Sequence, residues 1–114
     1  MLRESSKAKG ESYDLNLLMG AAGDGQIPHG ALLVAFAEAV LGTDEGRLAT
    51  TRADIRQSMG DAALVDASAV AATFNAIDRV ADATGIPLEP EKAVASADFR
   101  ADLDLDRFAV AGRD

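Results

Sequence analysis

The chain has 114 residues, contains no cysteine and carries a formal net charge of -8 at pH 7. This length predicts one domain, residues 1–114. The acidic balance argues against nucleic acid and anionic membranes as partners, since both attract clustered Lys and Arg. The lack of cysteine excludes disulfides, thiolate metal ligands and cysteine redox chemistry within this chain.

Hydrophobic residues make up 48% of the chain but aromatic residues only 4%, so the apolar content is mostly Ala, Leu and Val. Small side chains bury little area each, so we expect the chain to form a homo-oligomer. No apolar run reaches the roughly 18 residues of a membrane span, and MLRESSKAKGES lacks the apolar core of a signal peptide. We therefore expect a cytoplasmic protein with no metal site and no cofactor.

The N-terminal part is predicted to hold an arm, a short helix and a loop. Residues 1–11 are polar and charged and are expected to form a flexible arm. Ser12 is placed to cap a short helix over Tyr13–Met19. Four glycines and Pro28 indicate a loop over Gly20–Gly30, and its GAAGDG segment lacks the spacing of a phosphate-binding loop.

The segment ALLVAFAEAVL, Ala31–Leu41, predicts a helix that is apolar on nearly all sides and therefore central. Glu38 is its only charged residue, and a buried carboxylate has to be paired or neutralised. We expect Glu38 to pair with an arginine such as Arg56 or Arg79; a solvent-exposed edge position and a proton relay are the alternatives. His29, just before the helix, is expected to have a surface or capping role.

A polar connection is predicted over Thr43–Leu48. Thr50 or Thr51 then fits the cap of a short helix over Ala53–Met59, which ends at Gly60.

Asp61 is predicted to cap the longest helix, Ala62–Thr84, which stops before Gly85. The apolar residues of this helix recur at helical spacing and occupy most of its circumference, so we expect it to be buried on most sides. Its polar residues fall on one arc: Ser68, Asn75, Asp78, Arg79 and Asp82. That arc is either a solvated face, or a set of inter-helix or intersubunit polar contacts made through Asn75 and Arg79, or a ligand-binding face.

The C-terminal part, residues 91–114, is predicted to be a docking tail with one more helix near Glu91–Arg100. Its apolar residues are too numerous for a free tail: Phe99, Leu103, Leu105, Phe108 and Val110. The DLDLD segment, Asp102–Asp106, lacks the glycine and glutamate that a calcium loop needs. No segment shows the period of two that marks a strand, so we predict an all-α fold of about four to five helices.

Two segments, ALLVAFAEAVLG and TTRADIRQSMGDAALVDASAVAATFNAIDRVADATGI, resemble the C-terminal half of AhpD-like proteins. These form the alkylhydroperoxidase and carboxymuconolactone decarboxylase superfamily, and the likeness is to its peroxidase-related branch. The resemblance covers Gly30–Ile86 and includes an "ALL.FA" helix, a short helix ending at glycine, and the pattern "FN..NR.AD.LG". The residues that match or replace the last pattern are Phe74, Asn75, Asp78, Arg79, Ala81, Asp82 and Gly85, with Asp78 in place of an asparagine.

The resemblance implies an AhpD-like helical bundle and a tendency to oligomerise. The family's chemistry uses a Cys-x-x-Cys pair with a nearby His and Glu, and no position of this chain matches that site. We therefore expect a non-catalytic, self-associating binding or assembly protein. The alternatives are an enzyme, or half of one, that uses Glu38 and His29 or an AhpD-like partner chain bearing the cysteines, and a small acidic bundle with an accidental likeness.

Overall fold

A computed structural model of the chain describes residues 8–10 and 12–108. Over these residues it contains five α-helices and no strand, so the predicted all-α class is confirmed. The helices are α1 (Gly30–Leu41), α2 (Glu45–Met59), α3 (Asp61–Thr84), α4 (Pro90–Ala95) and α5 (Ala97–Asp102), with 3₁₀ turns at Leu15–Met19 and Leu105–Phe108. Most of the predicted arm and Val110 lie outside the described residues.

The chain divides into two compact units, one ending at Phe74 and the other starting at Asn75, within α3. None of the described helices is both long enough and apolar enough to cross a membrane.

The 3₁₀ turn Leu15–Met19 of the first unit is shorter than the predicted helix Tyr13–Met19. Asp14, and not Ser12, caps this turn by accepting a hydrogen bond from the backbone N–H of Asn16 at 3.0 Å. Leu17 is buried, with its side chain beside the backbone of Gly30 at the start of α1. The turn therefore holds the segment before α1 against the start of that helix.

The core of the first unit lies between α1 and α2, the two helices that pack against each other. Phe36 and Ala39 of α1 are buried, as are Thr51 and Ile55 of α2. The two α2 residues are four positions apart and so share one face of the helix. Ile55 is completely inaccessible to solvent and is the largest fully buried side chain among the described residues.

Helix α2 starts eight residues earlier than the predicted Ala53, at Glu45, so the predicted cap at Thr50 or Thr51 is wrong. Asp44 is the cap, and its Oδ1 accepts a hydrogen bond from the N–H of Arg47 at 2.9 Å. Both threonines lie inside the helix. Thr51 can be buried because its hydroxyl donates to the carbonyl of Arg47, 3.0 Å away.

The second unit contains the end of α3, the helices α4 and α5, and the second 3₁₀ turn. The single helix predicted near Glu91–Arg100 is two short helices, separated at Ser96. Arg100 joins these elements: its guanidinium donates to the carbonyl of Ala93 at 3.0 Å and pairs with Asp106 at 2.8 Å. Of the predicted docking residues, Phe99, Leu103 and Leu105 are half-buried and Phe108 is exposed.

Candidate functional site

An open apolar cleft of about 460 Å³ lies between α1 and the first half of α3, entirely within the first unit. Its lining residues are Leu33, Phe36 and Ala37 of α1, Met59 at the end of α2, and Ala63, Asp66, Ala67, Val70 and Ala71 of α3. Asp66 is the only charged residue in this set. The cleft therefore suits an apolar surface and offers little to a polar ligand.

Helical periodicity explains why these residues face the cleft. Leu33, Phe36 and Ala37 stand at i, i+3 and i+4, which places them on one side of α1. The α3 wall is built mostly of alanines, and their small side chains leave the space open. Sequence reasoning missed the cleft, because the pattern shows which face of a helix is apolar but not which helix lies opposite.

Helix α3 contradicts the expectation that it is buried on most sides, since none of its residues is buried. Val70 is 57% exposed and Phe74 is 46% exposed. The physical reason lies in the first unit, where α1 and α2 cover each other and leave no third element to cover α3. Two residues of the predicted polar arc, Ser68 and Asn75, are half-buried. That arc is therefore not fully exposed to solvent.

Glu38 is on the surface, so the expectation that it is a buried charge is wrong. Arg47 Nη2 lies 2.5 Å from Glu38 Oε2, and the two side chains are 48% and 55% exposed, respectively. The partner is thus neither Arg56 nor Arg79. Arg47 becomes available because Asp44 starts α2 early and places the first turn of that helix beside the end of α1. The Asp44–Glu45 pair was the sequence signal for this early start, since acidic residues favour helix N-termini.

His29 precedes α1 with its backbone in the left-handed region, φ 58°, and its side chain makes no capping hydrogen bond. His29 therefore does not cap α1 through its side chain, and its exposed position agrees with the surface role that was the other expectation. Asp24 caps the helix instead, because its Oδ1 accepts a hydrogen bond from the N–H of Ala31 at 3.0 Å. A carboxylate thus occupies the helix N-terminus, where a bound anion would otherwise sit.

His29 and Glu38 do not converge. They are nine positions apart at opposite ends of α1, a separation of about 13 Å along the helix. Neither residue lines the cleft. The structure therefore does not assemble the pair that the enzyme alternative would use.

The other predicted contact residues, Asn75, Asp78, Arg79 and Asp82, lie on α3 in the second unit. Asn75 is half-buried and the other three are exposed. Within that unit as described, their side chains form no hydrogen bond or ion pair with one another. An Arg79–Asp82 pair, which the i, i+3 spacing would allow, is absent there. The role of these residues in binding stays a prediction.

No group of three or more His, Cys, Asp or Glu side chains is placed to hold a metal ion within residues 8–10 and 12–108. The main feature of the described surface is apolar: the cleft, and next to it the exposed face of α3. No protein-family model, curated protein or solved structure matches this chain.

Proposed function

We propose that the chain is a non-catalytic, AhpD-like helical protein that works by associating with copies of itself. The observation that carries this proposal is the apolar face of α3, exposed beside the apolar cleft. Val70 and Phe74 on this face, both in the first unit, are each about half exposed. Monomeric proteins rarely leave a large contiguous apolar patch in water, and such patches mark interaction sites.

A small core supports the same proposal. Among the described residues, the buried hydrophobic side chains are Leu17, Phe36, Ala39 and Ile55. Burying a Val, Ile or Phe side chain contributes about 1.5–3 kcal/mol. A partner that covers α3 would bury more apolar side chains. It would therefore add hydrophobic stabilisation that the small core of a single chain does not provide.

The chemistry available in this chain supports a binding role over peroxide reduction. The family's reaction needs a thiolate nucleophile, and the chain has none. Of the two polar candidates, Glu38 is engaged with Arg47 at the surface and His29 lies at the other end of α1. The resemblance to AhpD-like proteins supports the helical architecture and oligomerisation, but it does not support an enzymatic activity.

Light scattering at micromolar concentration tests the proposal. We expect a mass of at least twice the 11.8 kDa of one chain. A monomer under these conditions would refute self-association. A parallel assay of alkyl hydroperoxide consumption with a dithiol reductant is expected to match the buffer blank, and turnover above it would refute the non-catalytic part.

A further inference from the structure

The cleft between α1 and the first half of α3 is lined almost wholly by hydrocarbon. Asp66 is the one charged residue of the lining, and all of the lining residues belong to the first unit. The volume of about 460 Å³ falls within the range of about 300–1,000 Å³ in which protein pockets bind small molecules. The cleft therefore has the size and the lining of a site for a small, mostly apolar ligand.

The turn between α2 and α3 fixes one end of this cleft. Gly60 forms the turn with a φ of 93°, and its backbone N–H donates to the carbonyl of Ile55, the fully buried residue of the core. Arg56 pairs with Asp61 across the same turn at 2.6 Å. The start of α3 is thus tied to the core, and Met59 lines the cleft beside it. At this end, the walls of the cleft are in place before any ligand binds.

Asp66 gives the cleft a preference for positive charge. The first half of α3, residues 61–74, contains two acidic residues and no basic one. Asp61 is engaged with Arg56, whereas Asp66 forms no hydrogen bond or ion pair with any other described residue. The Asp66 side chain is exposed, and it stands at one edge of the arc of α3 that lines the cleft. A carboxylate at this rim attracts a cation and repels an anion.

We propose that the cleft binds a small apolar amine, which is a hydrocarbon group that carries one ammonium ion. The hydrocarbon part lies between the alanines of α3 and the α1 residues Leu33 and Phe36, and the ammonium ion lies beside the Asp66 carboxylate. Removing apolar surface from water supplies the affinity. The ion pair supplies the selectivity, because an exposed pair contributes little to the affinity itself. This inference goes beyond self-association and does not depend on it.

The volume of the cleft argues against a helix as its occupant. A helix about 11 Å in diameter fills about 500 Å³ in each turn. A cleft of about 460 Å³ would therefore enclose less than one turn, and a helix from a protein partner or from a second copy would lie mostly outside it. A small molecule, in contrast, can bury most of its surface in a pocket of this size.

Three probes with the same octyl chain test the charge preference: octylammonium, octanol and octanoate. We expect octylammonium to bind about 1.5- to 5-fold more tightly than octanol, and octanoate to bind more weakly than octanol by a similar factor. The measurement is a titration at pH 7, followed by NMR of protein labelled with ¹³C in its methionine methyl groups. The Met59 methyl signal is expected to shift because Met59 lines the cleft, whereas that of Met19, in the first 3₁₀ turn, is expected not to shift.

Asp66→Asn removes the charge and keeps the shape of the side chain. We expect this variant to bind octanol as the unchanged protein does, and to bind octylammonium and octanol with dissociation constants within a factor of about 1.5 of each other. Asp54→Asn is the matched control, because it removes one acid from an exposed position of α2 outside the cleft. We expect the control to keep the preference for the amine. A preference that survives in Asp66→Asn, or that disappears equally in both variants, would overturn the role of Asp66.

Filling the cleft tests where the probes bind. Ala67→Phe places a ring in the cleft, so we expect the dissociation constants of all three probes to rise about tenfold or more. Ala72→Phe adds the same ring to the exposed opposite side of α3, and we expect less than about a twofold change. Equal effects of the two substitutions would show that the probes bind elsewhere and would overturn the proposal.

The remaining outcomes separate this proposal from self-association. A Met59 signal that none of the probes moves would overturn ligand binding, and so would equal affinity for all three probes. A Met59 signal that moves with protein concentration and not with the probes would show that a second copy fills the cleft, which would also overturn the proposal. Light scattering of the same samples reports self-association independently, so a dimer without a response to the probes would leave self-association standing.

Discussion

Replacing Ile55 by alanine tests whether the contact between α1 and α2 is the core of the first unit. Ile55 is 0% exposed and shares the buried face of α2 with Thr51. Truncating it loses the transfer free energy of the removed carbons and leaves a cavity, because close-packed neighbours relax only in part.

The expected loss in the free energy of unfolding follows from the burial of Ile55 and from the small size of the core. Ile→Ala changes in cores cost about 2–5 kcal/mol. Few buried hydrophobic side chains surround Ile55, so partial collapse of the cavity is easier than in a large domain. We therefore expect the middle of the range, a loss of about 3 kcal/mol in the free energy of unfolding.

The assay is urea denaturation at one fixed chain concentration, followed by far-ultraviolet circular dichroism. Ile86→Ala is the matched control, because it makes the same chemical change at a residue that is 63% exposed. We expect it to cost less than about 1 kcal/mol. A shift in midpoint with an unchanged slope would report a change in stability alone.

A loss below about 1 kcal/mol for Ile55→Ala, or one equal to that of Ile86→Ala, would refute the assignment of the core. If Ile55→Ala fails to fold, Ile55→Val provides the measurement. It is expected to cost about 0.5–1.5 kcal/mol, and a neutral result would refute the assignment equally.

The other predictions concern surface and backbone positions. Glu38→Ala is expected to change the free energy of unfolding by no more than about 1 kcal/mol, since its pair with Arg47 is solvated; a urea-measured loss of about 3 kcal/mol would show a buried charge. Asp24→Ala removes the cap of α1 and should cost about 0.5–2 kcal/mol in the same assay, whereas no loss would mean that solvent replaces the cap. Gly30→Ala should destabilise by about 1–3 kcal/mol, because a Cβ there would overlap the backbone carbonyl oxygen of Asp24. Gly46→Ala, in a helix with room for the methyl group, should raise the thermal midpoint instead; equal shifts for the two glycines would contradict the packing at Gly30.

The amino-acid sequence by itself determined the all-α class and the limits of α1 and α3. The apolar run starting at Ala31 and the glycines at Gly60 and Gly85 are local signals, and local signals suffice to start and stop helices. Gly60 and Gly85 adopt φ of 93° and 67°, backbone angles that favour glycine. The start of α2 is also set by a local signal, because Asp44 caps the helix, whereas Thr50 and Thr51 fit a cap by residue type but lie inside it.

Only the tertiary structure decided which apolar faces are covered. A helical pattern shows that a face is apolar, but the element that lies against it depends on contacts between residues distant in the chain. Here α2 covers α1, which places Ile55 in the core and brings Arg47 to Glu38 at the surface. The same pairing leaves the first half of α3 without a covering helix in the first unit. The longest of the described helices is therefore exposed, although its sequence is typical of a buried one.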